Sequence, residues 1–186
     1  MRRPLHFGAA LGVAAHNVFE LAAGIGLIFQ PQLGLRGAAA LWSSALPAWM
    51  LASARGPRRW DRRLAGLSGA ALGGVALHYV IWPWELRRGV PVLTNAEGLR
   101  GRPLAAYNAL LLTWGTVALL ALARETDRHD RGVALGSVLA TVASGMAPGP
   151  ANVERHFEWL REQARVEPAW WNRAGVAQVS TAKGGS

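Results

Sequence analysis

The chain has 186 residues, of which 51% are hydrophobic and 17% charged, with 20 Lys and Arg against 11 Asp and Glu and no cysteine. The lack of cysteine excludes disulfides, thiolate metal sites and a cysteine nucleophile, and the apolar fraction excludes a disordered chain. A net charge of +9 is typical of nucleic-acid-binding proteins, but here the basic residues stand between long apolar runs. This combination favours a membrane protein with arginine-rich connections, and no nucleic-acid partner is predicted.

Five apolar runs approach the length of a transmembrane helix. They cover residues 8–29, 37–54, 64–83, 104–123 and 132–147, and a helix needs about 20 residues to cross the hydrocarbon core. A small soluble domain cannot bury five helices that are apolar on all sides, and no long stretch alternates with the period of a half-buried strand. The sequence therefore predicts an all-α fold without strands, a polytopic transmembrane bundle of about five spans over residues 1–151.

The basic residues are concentrated in every second connection. Ten of the 20 lie in residues 1–7, 55–63 and 124–131. Short loops rich in arginine stay in the cytoplasm, so we expect a multi-pass protein of the bacterial inner (plasma) membrane with a cytoplasmic N-terminus. The C-terminus lies outside if the fifth run crosses fully, and inside if that run is re-entrant.

An amphipathic segment follows the fifth run. Over residues 152–175, apolar side chains recur at helical spacing at Val153, Phe157, Leu160 and Ala164, with charged residues on the other face. This pattern predicts an interfacial helix that lies on the membrane or caps the bundle. Residues 176–186 are predicted to be a disordered tail.

Two strips of small residues favour close helix packing. Gly69-x-x-x-Gly73 lies in the third run and Gly132-x-x-x-Gly136 in the fifth. Small residues let helix backbones approach each other in lipid. We expect both strips to pack within the bundle, with a homo-oligomer interface as the alternative.

Polar residues inside the apolar runs are the candidates for function, because ionisable groups in a membrane are costly and usually functional or paired. Glu20 lies near the middle of the first run, and His16 lies four residues earlier on the same helix face. His78 lies several residues inside the end of the third run. We assign Glu20, His16 and His78 as candidate catalytic residues. The alternative is a buried His–Glu hydrogen bond that only stabilises the bundle.

A second set of polar and aromatic residues is predicted to bind substrate. His78, Trp82 and Glu85 have the spacing of one helix face. The predicted substrate-binding residues are Asn17, Trp42, Ser43, Tyr79, Trp82, Glu85, Tyr107, Asn108 and Trp114. For the tryptophans the alternative is an interfacial belt, for Tyr107 and Asn108 a cross-helix hydrogen bond, and for the serine a bond to its own helix.

Counting residues inward from the outer end of each predicted span places most of these residues within a layer about 9 Å thick. We therefore expect a polar pocket in the outer half of the bundle, lined by spans one to four. Its walls would be Trp42, Trp82 and Trp114, with Glu20 at the floor, and the inner half is expected to hold only Ala, Leu and Val. The same count places His16 roughly 12 Å deeper than His78.

This arrangement favours acid chemistry on an apolar substrate. An apolar pocket favours the protonated form of a carboxyl group, which makes Glu20 a candidate general acid. Aromatic rings stabilise a nearby cation through their quadrupole. We expect acid-initiated cyclisation or isomerisation of a lipidic, isoprenoid-class substrate, with His16 or His78 tuning Glu20 or relaying the proton.

The motif Asn17-x-x-Glu20, with Phe19 before the glutamate and Pro31 near the end of the run, resembles the acidic motif of integral-membrane terpene cyclases of meroterpenoid and indole-diterpene pathways. The resemblance implies a polytopic helical enzyme whose buried carboxylates protonate an epoxide or alkene. It implies Glu20 as one acid and Glu85 as the second. His16-x-x-x-Glu20 is also similar to the His/Glu pairs of membrane sterol isomerases.

The rival hypothesis is a small non-catalytic membrane subunit or assembly protein, whose polar groups would bond to one another and leave no cavity. A mononuclear metal on His16, Glu20 and His78 is conceivable, but no ligand spacing beyond one His/Glu pair supports it. The predicted depth difference is too large for both histidines to bind one haem. No metal or cofactor is therefore predicted. The expected partners are membrane lipids and a lipidic substrate, with a homo-oligomer or another membrane protein as further alternatives.

Overall fold

The computed structural model describes residues 1–96, 98–146 and 151–173, and the chain there forms six α-helices and one β-hairpin. The elements are α1 (Pro4–Ala23), α2 (Gln30–Arg55), a short 3₁₀ turn (Arg58–Trp60), α3 (Asp61–Ile81), β1 (Trp84–Arg87), β2 (Val90–Leu93), α4 (Gly101–Arg124), α5 (Arg131–Met146) and α6 (Ala151–Val166). The mainly helical fold is confirmed. The side chain of Val153 and the predicted disordered tail, 176–186, lie outside the described part of the chain.

Two helices in the described ranges are long and apolar enough to cross a membrane. They are the segments Arg58–Ile81 and Gly101–Arg124, which correspond to α3 and α4. The helix α5 is also apolar but shorter. The total of five spans stays a prediction.

The helix α1 ends six residues before the predicted boundary. Gly24 follows it with φ 79°, a left-handed conformation that glycine adopts without the steric penalty of a Cβ atom. Residues 24–29 then connect α1 to α2, which bends at Gly34 (φ 68°, ψ 170°). The sequence predicts that Glu20 lies near the middle of the first span. In the structure Glu20 lies instead in the last turn of α1.

The helices α1 to α4 pack around a shared core. α1 packs against α4 and α2, and α3 packs against α5 and α4. On α3, a Cβ atom at Gly69 would lie 2.3 Å from the Ala134 carbonyl oxygen of α5, so this glycine permits the close approach of the two helices. By contrast, nothing lies within 4 Å of a Cβ atom at Gly132 or Gly136. The prediction that this second strip packs within the bundle is therefore wrong, because it faces outward.

The three arginine-rich segments meet at one end of the bundle. The Arg2 amide donates to the Ala54 carbonyl (3.2 Å), and the Leu5 amide donates to the Glu125 carboxylate (3.0 Å). The amphipathic helix α6 lies at the opposite end, where His156 Nε2 is 2.7 Å from the Ile25 carbonyl oxygen. The side chains of Phe157, Leu160 and Ala164 are buried. Of the two placements considered for this helix, α6 adopts the one that caps the bundle.

A β-hairpin stands between α3 and α4, contrary to the prediction of no strands. β1 and β2 pair antiparallel from Trp84↔Leu93 to Arg87↔Val90. Arg88 and Gly89 form the turn with φ 52° and 80°, the two positive values that a tight two-residue hairpin turn requires. Each strand has only four residues, too few for alternation to stand out against the surrounding apolar runs.

Several polar side chains are buried inside the bundle, and many large apolar side chains are exposed on its helices. His6, His16, Ser53 and Ser68 are buried with at most 1% exposure. The exposed large apolar side chains on the helices include Leu11, Val18, Leu67, Val80, Leu112, Leu119, Leu135 and Leu139, each at least 40% exposed. A water-soluble helical bundle has the opposite distribution, with charged and polar residues on its outer face.

Candidate functional site

Four polar side chains from three helices converge in the interior. His16 and Glu20 come from α1, His78 from α3 and Tyr107 from α4. His16 Nε2 lies 3.1 Å from Glu20 Oε1, 3.1 Å from Tyr107 Oη and 3.3 Å from His78 Nε2. The Tyr107 hydroxyl also lies 3.0 Å from Glu20 Oε1, to which it donates. We call these four residues the His–Glu cluster.

The helices place these groups for simple geometric reasons. His16 and Glu20 are four residues apart and project from the same face of α1. His78 lies in the last turn of α3 and Tyr107 in the second turn of α4, and both helices pack close to α1. Tyr107, His16 and Glu20 are 0%, 1% and 5% exposed, and His78 is half-buried. The cluster is therefore largely shielded from solvent.

The hydrogen bonds define which nitrogen of His78 carries a proton. His78 Nδ1 lies 2.7 Å from the Gly74 carbonyl oxygen, and a carbonyl can only accept, so Nδ1 donates. In the neutral ring, Nε2 then carries a lone pair that faces His16. A proton on His16 Nε2 can bond to either His78 or Glu20. The three side chains thus form a chain along which one proton can pass.

Aromatic rings surround the cluster and lower the local polarity. The Trp114 ring centroid is 5.0 Å from that of His16, and Phe19 stacks on Tyr107 at 5.3 Å. A Cβ atom at Gly12 would lie 2.3 Å from the Trp114 ring. Glycine at position 12 therefore allows the indole to lie directly against α1.

The predicted pocket with three tryptophan walls is not the arrangement that forms. Trp114 lies beside the cluster, but Trp42 donates to the Ile28 carbonyl oxygen (3.3 Å) in the α1–α2 connection. The Trp82 ring packs against Phe157 of α6. Similar depth predicts that the tryptophans meet, but depth does not determine which way a side chain points around its helix.

Three other predicted substrate-binding residues also lie away from the cluster. Ser43 is exposed and donates to the Ala40 carbonyl of its own helix (3.3 Å), which was the alternative interpretation. The Tyr79 ring contacts Trp84. Glu85 is exposed on β1 and pairs with Arg87.

The predicted shared face of His78, Trp82 and Glu85 does not form. α3 ends at Ile81, and Trp82 has extended backbone (φ −102°, ψ 147°). The helical spacing that would align Glu85 with His78 is therefore lost before residue 85.

The two asparagines have different surroundings. Asn17 is 5% exposed, and neither polar atom of its side chain has a hydrogen-bond partner within the described ranges. Asn108 instead holds the hairpin on α4. Its Oδ1 accepts from the Leu93 amide (2.7 Å), and its Nδ2 donates to the Leu93 carbonyl (3.0 Å). Asn108 thus has a structural contact in this arrangement, whereas Tyr107 makes the cross-helix hydrogen bonds, to His16 and Glu20 of α1.

The predicted difference in depth between the two histidines, roughly 12 Å, is wrong. Their Nε2 atoms lie 3.3 Å apart. The depth of His16 was counted from residue 29, but α1 ends at Ala23. The six excess residues account for roughly 9 Å of apparent depth at 1.5 Å per residue.

A second buried polar group, at the arginine-rich end, has no counterpart in the sequence predictions. His6 Nδ1 lies 2.7 Å from Ser68 Oγ, and the Glu125 carboxylate accepts from the backbone amide of His6 (2.9 Å). Arg3 pairs with Asp61 and donates to the Gly56 carbonyl (3.0 Å). The inner half of the bundle is therefore not featureless. His6 and Glu125 lie outside the predicted spans. The search for polar residues inside apolar runs therefore does not identify them.

No protein-family model, curated protein or solved structure matches this chain.

Proposed function

We propose that this chain is an integral membrane enzyme that isomerises or cyclises a lipidic, isoprenoid-class substrate, with the His–Glu cluster as its proton-transfer centre. The observation that carries the proposal is the buried contact of Glu20 with both His16 and Tyr107, at 3.1 and 3.0 Å. Ionisable groups held inside a membrane bundle are costly and are kept mainly for function.

The membrane location is supported by the surface of the helices. Exposed leucines such as Leu112, Leu119 and Leu135 cover the outer faces of α4 and α5, and these faces favour contact with lipid over water. We propose that α1 to α5 all cross the inner membrane, with the arginine-rich end and the N-terminus in the cytoplasm. α5 begins at Arg131 near the arginine-rich end, and α6 contacts Ile25 at the other end. Both facts favour a full crossing by α5.

The chemistry follows from the shared proton. A proton held between His16 and Glu20 is delivered to one carbon of a substrate double bond, which leaves a carbocation. The Trp114 ring beside His16 can stabilise that cation. In an isomerisation, His78 Nε2 then removes a proton from the neighbouring carbon, and the double bond re-forms there. His78 takes the second role in this proposal because Glu85, the second acid implied by the terpene cyclase resemblance, is exposed on the hairpin.

The Glu20→Gln variant tests the proposal, because it keeps the shape of the side chain and removes the acid. We expect untargeted mass spectrometry of co-purifying lipids to find an unconverted precursor in the variant and its isomer or cyclised product in the wild type. Glu162→Gln, at an exposed site on α6, is the matched control and should give the wild-type profile. Identical lipid profiles for wild type and Glu20→Gln, in proteins of equal stability, would contradict the proposal.

One observation favours the rival function, a non-catalytic membrane subunit. The polar side chains of the cluster bond to one another, as a purely structural core would. In that case Glu20→Gln lowers the unfolding temperature or releases a co-purifying membrane protein, and the lipid profile does not change.

A further inference from the structure

We infer that the His–Glu cluster is a metal site, in which His16 Nε2, His78 Nε2 and the Glu20 carboxylate bind one divalent transition-metal ion of the zinc class. The inference deepens the proposed function and rests on it for the metal's role, because the ion would lie at the proton-transfer centre. Two histidines and one glutamate are a recurrent ligand set of catalytic zinc, which keeps a fourth position for water.

The spacing of the ligand atoms carries the inference. The three ligand atoms lie within 4.8 Å of one another, and His16 Nε2 is 3.1 Å from Glu20 Oε1 and 3.3 Å from His78 Nε2. With zinc–ligand bonds of about 2.0–2.1 Å, two ligands of a tetrahedral site are about 3.3 Å apart. The glutamate side chain has three rotatable bonds, so it can close the remaining distance without a backbone shift.

The second contact of His78 orients its ring for metal binding. His78 Nδ1 donates to the Gly74 carbonyl at 2.7 Å, so Nε2 carries the lone pair, which faces His16. A ligand histidine commonly has its other nitrogen held by a backbone carbonyl or carboxylate in this way. The two Nε2 atoms and the carboxylate each bind a metal ion through an unprotonated atom. One cation can therefore accept a lone pair from all three groups.

The charges also fit a buried divalent ion. Two neutral imidazoles and one carboxylate leave a net charge of +1 with a divalent cation, and ionisation of a bound water brings the total to zero. Zinc ionises a bound water near neutral pH. The Tyr107 hydroxyl, 3.1 Å from His16 and 3.0 Å from Glu20, lies close enough to hydrogen-bond to that water. With an ion bound, its water would supply the proton in place of the Glu20–His16 pair. The hydroxide left behind would remove the proton from the neighbouring carbon in place of His78, whose Nε2 would then be a ligand.

Cobalt binding by the full-length chain in detergent, produced without a polyhistidine tag and stripped with a chelator, tests the site directly. We expect one equivalent of Co²⁺ to bind, with the strong visible absorption of four-coordinate cobalt, and zinc to displace it. His16→Gln and His78→Gln should each lose this absorption. His129→Gln, at an exposed histidine in the α4–α5 connection, is the matched control and should keep it. Tyr107→Phe should keep the absorption with affinity lowered about 10- to 100-fold, as for a residue that contacts a ligand without being one.

The wild-type titration needs no variant, so misfolding of a variant cannot hide the result. Failure of the stripped wild type to bind cobalt, or binding that survives in both His16→Gln and His78→Gln, would overturn the metal site. The proposed function can fail independently of the metal site. If the wild type binds cobalt but Glu20→Gln leaves the co-purifying lipids unchanged, the chain has a metal site and is not the proposed enzyme. Changed lipids without cobalt binding support the enzyme and overturn the metal site.

Discussion

His16 and His78 place their Nε2 atoms 3.3 Å apart, although 62 positions separate them in the chain. The contact joins α1 to α3. Tyr107 links α4 to α1 through its hydrogen bonds with His16 and Glu20. Hydrogen bonds between helices are directional, so this group allows only a narrow range of shift or rotation among the three helices. Functional and structural roles of the cluster are therefore coupled, and variants must be measured for both.

Removal of the Tyr107 hydroxyl tests the structural role. Tyr107→Phe loses the hydrogen bonds to His16 and Glu20 and leaves their buried groups with one partner fewer. We expect a loss of about 1–3 kcal/mol in the free energy of unfolding, measured by thermal or denaturant unfolding in detergent. Tyr79→Phe, at a half-buried tyrosine outside the cluster, should change stability much less. Equal effects of the two substitutions would contradict this role for Tyr107.

Glu125 is expected to stabilise the start of α1 from the end of α4. Its carboxylate accepts from the backbone amides of Leu5 and His6 at 2.9–3.0 Å, and the first amides of a helix otherwise lack partners. We expect Glu125→Ala to cost about 1–2 kcal/mol, as the loss of a helix cap does. Glu125→Gln keeps an acceptor oxygen and should cost less. Hydrogen exchange of the Leu5 and His6 amides should rise in the alanine variant, and unchanged exchange would contradict the assignment.

Asn108 is expected to hold the hairpin on the bundle. Asn108→Ala removes both hydrogen bonds to Leu93, and the hairpin has only two short strands, which are marginally stable by themselves. We expect faster amide hydrogen exchange across residues 84–93, with little change in α1. Thr113→Ala, which removes a hydroxyl bonded within α4 (2.8 Å to the Ala109 carbonyl), is the control. Unchanged exchange in the hairpin would show that other contacts hold it.

The two glycine strips should respond oppositely to alanine. At Gly69 a Cβ atom would lie 2.3 Å from a backbone oxygen of α5, which cannot move without separating the helices. We expect Gly69→Ala to destabilise the chain by about 1–3 kcal/mol, the usual cost of overpacking. At Gly136 the space is open, and alanine favours helix over glycine by about 1 kcal/mol. Gly136→Ala should therefore be neutral or stabilising in thermal unfolding, and equal destabilisation by both would contradict the packing described here.

Several candidate residues could be found from the sequence because they break a local pattern. His16, Glu20, His78 and Tyr107 stand out as polar residues in apolar runs, and all four meet in the structure. The same criterion also selected Ser43 and Glu85, which do not join them. Polarity in an apolar run identifies candidates, but the direction of a side chain depends on how its helix is rotated against its neighbours. The catalytic role of the cluster stays a prediction.

The sequence by itself determined that the apolar runs and the amphipathic segment form helices, because apolar runs and helical periodicity are local properties of the chain. It also determined that the arginine-rich connections alternate along the chain. The tertiary structure decided where α1 ends, through the left-handed Gly24, and that the hairpin is held by Asn108. It decided above all which polar groups meet, because contacts such as His16 with His78 depend on the register and rotation of helices far apart in sequence, and these are set by packing rather than by any local pattern.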